Sequence, residues 1–191
     1  SVFAWRPRAS MSHKDPLRTA WDSQVRAAAE SRGARLLVLA GVLFHSYMVA
    51  IEFSHGAYSH RAPVILSLTI MAVAGTLLVA PWPDRVPPTF VTWGSAAVIG
   101  VSNLLALAPI RGASEWPGWS GWSAGASMFL AALLLLRQRT AEAVVGCVGL
   151  VAAVAAWAVL SGRSPGLVFS FTIGHIITFM FWFALVSWSG T

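Results

Sequence analysis

The sequence predicts an all-α integral membrane protein with six transmembrane helices and both termini on the cytoplasmic side. Three observations carry this prediction: an apolar composition, six long apolar runs, and an uneven distribution of Lys and Arg along the chain. Hydrophobic residues make up 57% of the 191 residues and charged residues only 10%, whereas an ordinary globular domain has about 25% charged residues. The composition therefore excludes an ordinary soluble domain.

Six apolar runs define the predicted helices. A bilayer core about 30 Å thick needs roughly 20 apolar residues in a helix, and backbone polar groups inside it must be hydrogen-bonded, which favours helices. The gaps between the runs are short and contain the Pro and Gly residues that are typical of turns. A six-helix transmembrane domain is therefore expected at residues 34–191. The predicted spans are 34–53, 63–82, 89–110, 119–136, 141–160 and 167–188.

Residues 1–33 form a basic segment that is expected to be a cytoplasmic N-terminal tail. Residues 15–32 have a helical pattern, with Leu17, Trp21 and Val25 on one stripe and charged residues on the other faces. Such a helix is predicted either to lie on the inner leaflet with Trp21 as its anchor, or to be a solvated helix next to the membrane. The pattern alone leaves both interpretations open.

The orientation follows from the distribution of basic residues, because loops that cross the membrane are depleted in Lys and Arg. Seven of the 13 Lys and Arg residues lie at or before Arg35, and three more lie in the second and fourth gaps. Only Arg61, Arg111 and Arg163 remain for the opposite side. The net charge of +6 therefore reports orientation in the cell membrane. It does not indicate a nucleic-acid partner, because no soluble basic face exists to bind one.

Four polar residues within or beside the predicted spans are the candidate functional residues, because polar groups in a bilayer are costly. They are His45, Glu52, Asn103 and His175. The two histidines are expected at a similar depth in the outer half of the membrane. Four interpretations are open: haem ligation by His45 and His175, a metal site of His45, Glu52 and a loop histidine, a proton-sensitive switch, or plain hydrogen bonding to helix backbones. No motif predicts a cofactor or metal, so haem stays an alternative.

Small and amide side chains predict close packing between helices. A buried amide such as Asn103 is expected to bond across a helix pair, and residues 96–100 and 149–153 have the spacing of small residues that lets helices approach closely. No phosphate-binding loop, dinucleotide-binding glycine pattern, zinc-protease motif or serine-hydrolase motif is present. No catalytic residue is therefore predicted in this chain.

The layout of the chain resembles the multi-pass N-terminal membrane sensor region of actinobacterial two-component sensor histidine kinases. The resemblance rests on the basic, Trp-containing segment at 15–21, the charged link at 137–142 and the aromatic last span at 179–188, and it covers nearly the whole chain. It implies a signal-sensing input domain in the membrane. It also implies a homodimer, and a phospho-acceptor helix and an ATP-binding domain after the last span. Separately, the chain begins with Ser1 rather than Met and stops at Thr191, just after the last predicted span, so the native chain is expected to extend beyond these residues.

A second class of function competes with the sensor interpretation. The same spans would suit a stand-alone integral membrane protein, such as a small permease, a subunit of a larger complex or a haem-binding membrane protein. In either case the expected partner is the lipid bilayer.

Overall fold

The protein is helical throughout the part of the chain that the structure describes. The computed structural model describes residues 16–82, 86–110 and 122–189, and within these ranges it contains six α-helices and no β-strand. The prediction of an all-α fold is therefore confirmed. The helices are α1 Pro16–Ser54, α2 Ala62–Leu78, α3 Thr89–Leu107, α4 Trp122–Leu136, α5 Thr140–Leu160 and α6 Pro165–Ser189.

The chain divides into two compact units, Ser1–Ala34 and Arg35–Thr191. The first unit is helical from Pro16. Residues 1–15 of the predicted basic tail, and the side chain of the predicted anchor Trp21, lie outside the described residues. The second unit contains the candidate residues and is the subject of the remaining sections.

Two helices end earlier than the apolar runs predicted. The run at 63–82 gives a helix that ends at Leu78, and Trp82 Nε1 donates a hydrogen bond to the carbonyl of Leu77 in its last turn at 2.9 Å. The run at 89–110 gives a helix that ends at Leu107, two residues before Pro109, which has no N–H to continue the ladder. Residues 119–121 of the fourth predicted run lie outside the described residues.

Four helical segments are long and apolar enough to cross a membrane. Helices α2 and α4 are also apolar but shorter, at about 26 Å and 23 Å for a rise of 1.5 Å per residue. α4 is buried along most of its length, so it occupies the inside of the bundle. The four longer segments are Arg32–Ser54, Thr89–Leu107, Thr140–Leu160 and Val168–Leu185.

The closest contact between helices joins α3 to α5. A Cβ atom added to Gly100 would lie 3.6 Å from the backbone of Gly149, and one added to Gly149 would lie 3.5 Å from Gly100 Cα. One turn earlier, Gly146 faces the backbone of Ala96. The predicted close packing of small residues is confirmed, and the structure identifies the two runs as each other's partners. Because both residue numbers rise together along the contact, α3 and α5 are parallel.

The parallel pair defines two ends of the bundle. At one end the link after α1 lies beside the end of α3, since the Ser59 amide and hydroxyl both donate to the carbonyl of Pro109. We call this the Tyr58 end, and it includes Trp122, Leu160 and the link after α5. The opposite end contains the start of α3 and the start of α5 at Glu142, and we call it the Glu142 end.

Helix α4 fills the space between the other helices. It packs against α2, α3, α5 and α6, and its Phe129 ring lies 3.4 Å from the position of a Cβ on Gly41 of α1. Helix α6 packs against α4 and α5 and is mostly exposed. Many large apolar side chains lie on the outside of the bundle, among them Leu43, Val148, Ile177 and Phe181.

Replacing Gly100 with Leu is expected to lower the free energy of unfolding by about 1–3 kcal/mol, the usual cost of overpacking. The added side chain would enter the space of the Gly149 backbone and separate α3 from α5. Unfolding in detergent micelles, followed by circular dichroism during a titration with sodium dodecyl sulfate, measures the change. Gly94→Leu is the matched control on the same helix, because a Cβ there meets nothing within 4 Å. Equal midpoints for the two variants would contradict this account of the helix contact.

Candidate functional site

His45 lies on α1 beside a small cavity between α1, α2 and α4. Its ring is 6.3 Å from the ring of Trp122 and 5.2 Å from that of Phe44, between centroids. Among the described residues, its Nδ1 atom is buried and has no hydrogen-bond partner. A Cβ added to Gly125 would lie 3.5 Å from the ring, so the glycine leaves room for the imidazole.

The cavity beside His45 has a volume of about 30 Å³ and walls that are mostly apolar, including Val38, Met71 and Phe129. A water molecule needs at least about 10–15 Å³ of such space and two or more polar partners. The cavity is large enough for about one or two waters, but His45 is the one side chain of its lining that could bond to them. A buried polar atom left without any partner costs about 1–3 kcal/mol, so the environment of Nδ1 is unfavourable.

His175 has a different environment on α6. Its Nδ1 atom lies 2.8 Å from the carbonyl oxygen of Phe171, so the ring nitrogen donates to the backbone of its own helix. The imidazole also stacks on the Phe171 ring at 3.8 Å. No contact between His175 and His45 occurs in the described part of the chain. The structure thus gives the two predicted haem ligands separate partners, and haem ligation stays a prediction.

Glu52 belongs to a polar cluster at the Tyr58 end. Its side chain is buried, and it interacts electrostatically with His55 and with Tyr58. Its backbone carbonyl accepts a hydrogen bond from the amide of Ala57 at 3.1 Å, which holds the link folded over the end of α1. Among the described residues no group of three His, Cys, Asp or Glu side chains could hold a metal ion.

Tyr58 connects the link to the helices beneath it. Its hydroxyl accepts a hydrogen bond from Trp122 Nε1 at 3.0 Å, and its ring meets the Phe53 ring edge-on at 5.8 Å. Burial raises the pKa of Tyr58 to about 12, because the charged phenolate loses hydration. The negative charge of Glu52 also raises this pKa, while the hydrogen bond from Trp122 opposes the increase.

Asn103 makes three hydrogen bonds, and two of them join α3 to α4. Its amide nitrogen donates to the carbonyl of Ile99 at 2.7 Å and to Ser127 Oγ at 2.6 Å. Its amide oxygen accepts from Ser123 Oγ at 2.9 Å. All these groups are buried, so the expectation that this amide bonds across a helix pair is confirmed. The full use of its hydrogen-bonding groups favours a packing role over ligand binding.

The sequence interpretation missed one buried polar contact at the Glu142 end. The Thr92 hydroxyl donates to Glu142 Oε1 at 2.9 Å, and Arg139 lies 3.8 Å from the same oxygen. Glu142 is in the first turn of α5, where a carboxylate is favoured by the helix dipole. The presence of Glu142 at the very start of an apolar run was a signal for a buried polar contact. The sequence could not identify its partner, because Thr92 lies 50 residues away.

A family model described as a domain of unknown function, DUF8320, matches residues 31–186. The chain belongs to the DUF8320 family. All four candidate residues of the sequence analysis and every contact described above lie inside the matched region. No curated protein and no solved structure matches the chain.

Replacing Asn103 of the DUF8320 domain with Leu is expected to lower the free energy of unfolding by about 1–3 kcal/mol. The variant loses two bonds between helices, each worth roughly 0.6–1.7 kcal/mol in membrane proteins. Detergent unfolding measures the loss. The control is Ser102→Ala on the same helix, because the Ser102 hydroxyl bonds only to its own helix, at Val98 and Ile99. If both variants unfold at the same midpoint as the wild type, Asn103 does not stabilise the helix pair.

The raised pKa of Tyr58 predicts a pH dependence. Because this pKa lies above the ordinary value of 10, the folded protein holds the proton more tightly than the unfolded chain. The contribution of Tyr58 to stability is thus complete below pH 10 and is lost as the pH rises towards 12. The chain has two tyrosines, so an ultraviolet titration of phenolate should lose its step near pH 12 in Tyr58→Phe and keep it in Tyr47→Phe. The reverse outcome would contradict the assignment.

Proposed function

We propose that this DUF8320 protein is a six-span domain of the cytoplasmic membrane that senses a stimulus and transmits it through α6. The apolar outside of the bundle supports membrane insertion. Exposed side chains include Leu43 at 62%, Val148 at 63% and Phe181 at 62% of their full surface. A soluble monomer rarely exposes contiguous apolar surface on this scale, whereas lipid chains cover it at no cost.

The charges at the two ends support an orientation with both termini in the cytoplasm. Arg137 and Arg139 lie at the Glu142 end, as does Arg35 near the start of the first apolar segment. Arg61 and Arg163 lie at the Tyr58 end. Together with the basic residues of the tail, this favours the cytoplasm for the Glu142 end. With an even number of alternating spans, we propose that both termini are cytoplasmic.

The high exposure of α6 is the observation that carries the sensing proposal. One stripe of this helix, with Phe171, His175 and Phe179 on it, is the less exposed face, while its other faces are exposed. The side chains of Thr172, His175 and Thr178 all bond to carbonyls of α6 itself. Among the described residues, these three side chains therefore make no hydrogen bond to another helix, in contrast to the buried polar bonds that join α3 to α4 and α5. Such a helix can shift while the centre stays fixed.

The layout of a sensor histidine kinase supports the same proposal, because in that arrangement the last span carries the signal to cytoplasmic helices. The alternative is a stand-alone membrane protein, such as a permease or a subunit. The coding sequence after Thr191 separates the two classes. A helix with a phospho-acceptor histidine directly after α6 supports the kinase input domain, and a stop codon at that point contradicts it.

Movement of α6 can be measured with pairs of spin labels on the full chain in lipid nanodiscs. One pair, Gln138→Cys with Leu185→Cys, reports α6 against the link between α4 and α5. The control pair, Gln138→Cys with Phe90→Cys, reports only helices of the centre. Both labelled pairs are to be combined with Cys147→Ser, since Cys147 is the single native cysteine.

The distances are to be recorded in thin and thick bilayers and at pH 6 and pH 8. We expect the α6 pair to change its distance distribution in at least one comparison, by up to about 5 Å for a shift of one helical turn. The control pair should remain unchanged. Identical distributions for the α6 pair in all conditions would contradict transmission through this helix, and equal changes in both pairs would indicate a general loosening of the bundle.

A further inference from the structure

A groove of about 410 Å³ lies between the C-terminal part of α5 and the N-terminal part of α6. Ala155 of α5 and Thr172 of α6 lie at one end of the groove. Val159 and Arg163 lie at the other end. Its volume falls within the range of about 300–1,000 Å³ that is usual for ligand sites. The cavity beside His45 is far smaller, at about 30 Å³. Of these two cavities, the groove is therefore the one with room for an organic molecule.

The groove is apolar along its length and positively charged at one end. Val159 and Phe169 on its walls are exposed at 76% and 67%, so the groove opens to the surroundings of the bundle. Arg163 lies at the Tyr58 end, with its guanidinium carbon 4.9 Å from the centre of the Trp157 ring. The N-terminus of α6 at Pro165 adds the partial positive charge of a helix dipole.

We propose that this groove binds one anionic phospholipid of the surrounding bilayer, with its phosphate at Arg163 and an acyl chain between α5 and α6. The charge complementarity selects the headgroup, since a guanidinium binds phosphate oxygens through two parallel hydrogen bonds. The position of the groove in the membrane favours an acyl chain in its apolar part. The charged end lies where the bundle meets the membrane surface, and the apolar part extends towards the bilayer centre, as in a lipid.

The bound lipid would act as a regulator of the proposed sensor. The groove separates α5 from the exposed α6, so an acyl chain there biases the position of α6. This inference rests on the proposed membrane insertion. Lipid binding and helix movement are separate measurements, so the groove proposal and the sensing proposal can fail independently.

The test uses the full chain and measures lipid retention by native mass spectrometry. Phosphatidylglycerol and phosphatidylcholine with identical acyl chains are the probes. We expect the wild type to retain more phosphatidylglycerol. Arg163→Gln should lower that retention about fivefold, since a basic residue near an anionic membrane surface contributes on the order of 1 kcal/mol. Arg61→Gln is the matched control, because Arg61 also lies at the Tyr58 end over an aromatic ring, 5.3 Å from the centre of Phe53.

A second pair of variants tests the acyl chain. Val159→Trp fills the groove and should lower the retention of both lipids. Val148→Trp on the same helix is the control, because Val148 is exposed and does not line the groove. Size-exclusion profiles matching the wild type verify folding of each variant. Equal retention of the two lipids by the wild type, equal effects of the two Arg variants, or equal effects of the two Trp variants would each overturn the proposal.

Discussion

The close approach of α3 to α5 is the contact on which the arrangement of the other helices depends. Gly100 and Gly149 let the two backbones meet, and Gly146 packs on Ala96. Helices in lipid gain little from burying apolar surface against each other, so tight packing and hydrogen bonds must hold them together. The contact makes the pair parallel and brings Thr92 next to Glu142. It thereby determines which links share an end of the bundle.

Buried hydrogen bonds join the remaining central helices to this pair. Ser67 of α2 donates to the carbonyl of Ser102, and Asn103 binds two serines of α4. Each of these side chains bonds within the protein, so the central helices are connected by buried polar contacts. His45 differs because its Nδ1 atom has no partner among the described residues. Helix α6 differs because, among the described residues, the side chains of Thr172, His175 and Thr178 bond only to their own helix. The proposed sensing function rests on this difference between the centre and the last helix.

Much of the fold and part of the candidate site could be predicted, and the limits have identifiable causes. The spacing of small residues predicted a close helix contact, and the buried amide of Asn103 predicted a bond between helices. Neither feature could identify the helix that it contacts, because the contact depends on which helix faces pack together. Helices α2 and α3 end earlier than their apolar runs, where a Trp side chain bonds to the last turn of one and a Pro follows the other. The pairing of His45 with His175 assumed equal depth and adjacent helices, which a sequence alone cannot establish, and it stays a prediction.

The sequence by itself determined that this protein is helical, where its apolar segments lie and which few polar residues interrupt them. These are local properties, because a run of about 20 apolar residues forms a helix whatever it packs against. The tertiary structure alone decided that α3 pairs with α5, that Thr92 reaches Glu142, and that a groove remains beside Arg163. Such contacts join residues far apart in the chain, as in the bond between Trp122 and Tyr58 and the contact between Phe129 and Gly41. Only the packing of the helix faces brings such residues together.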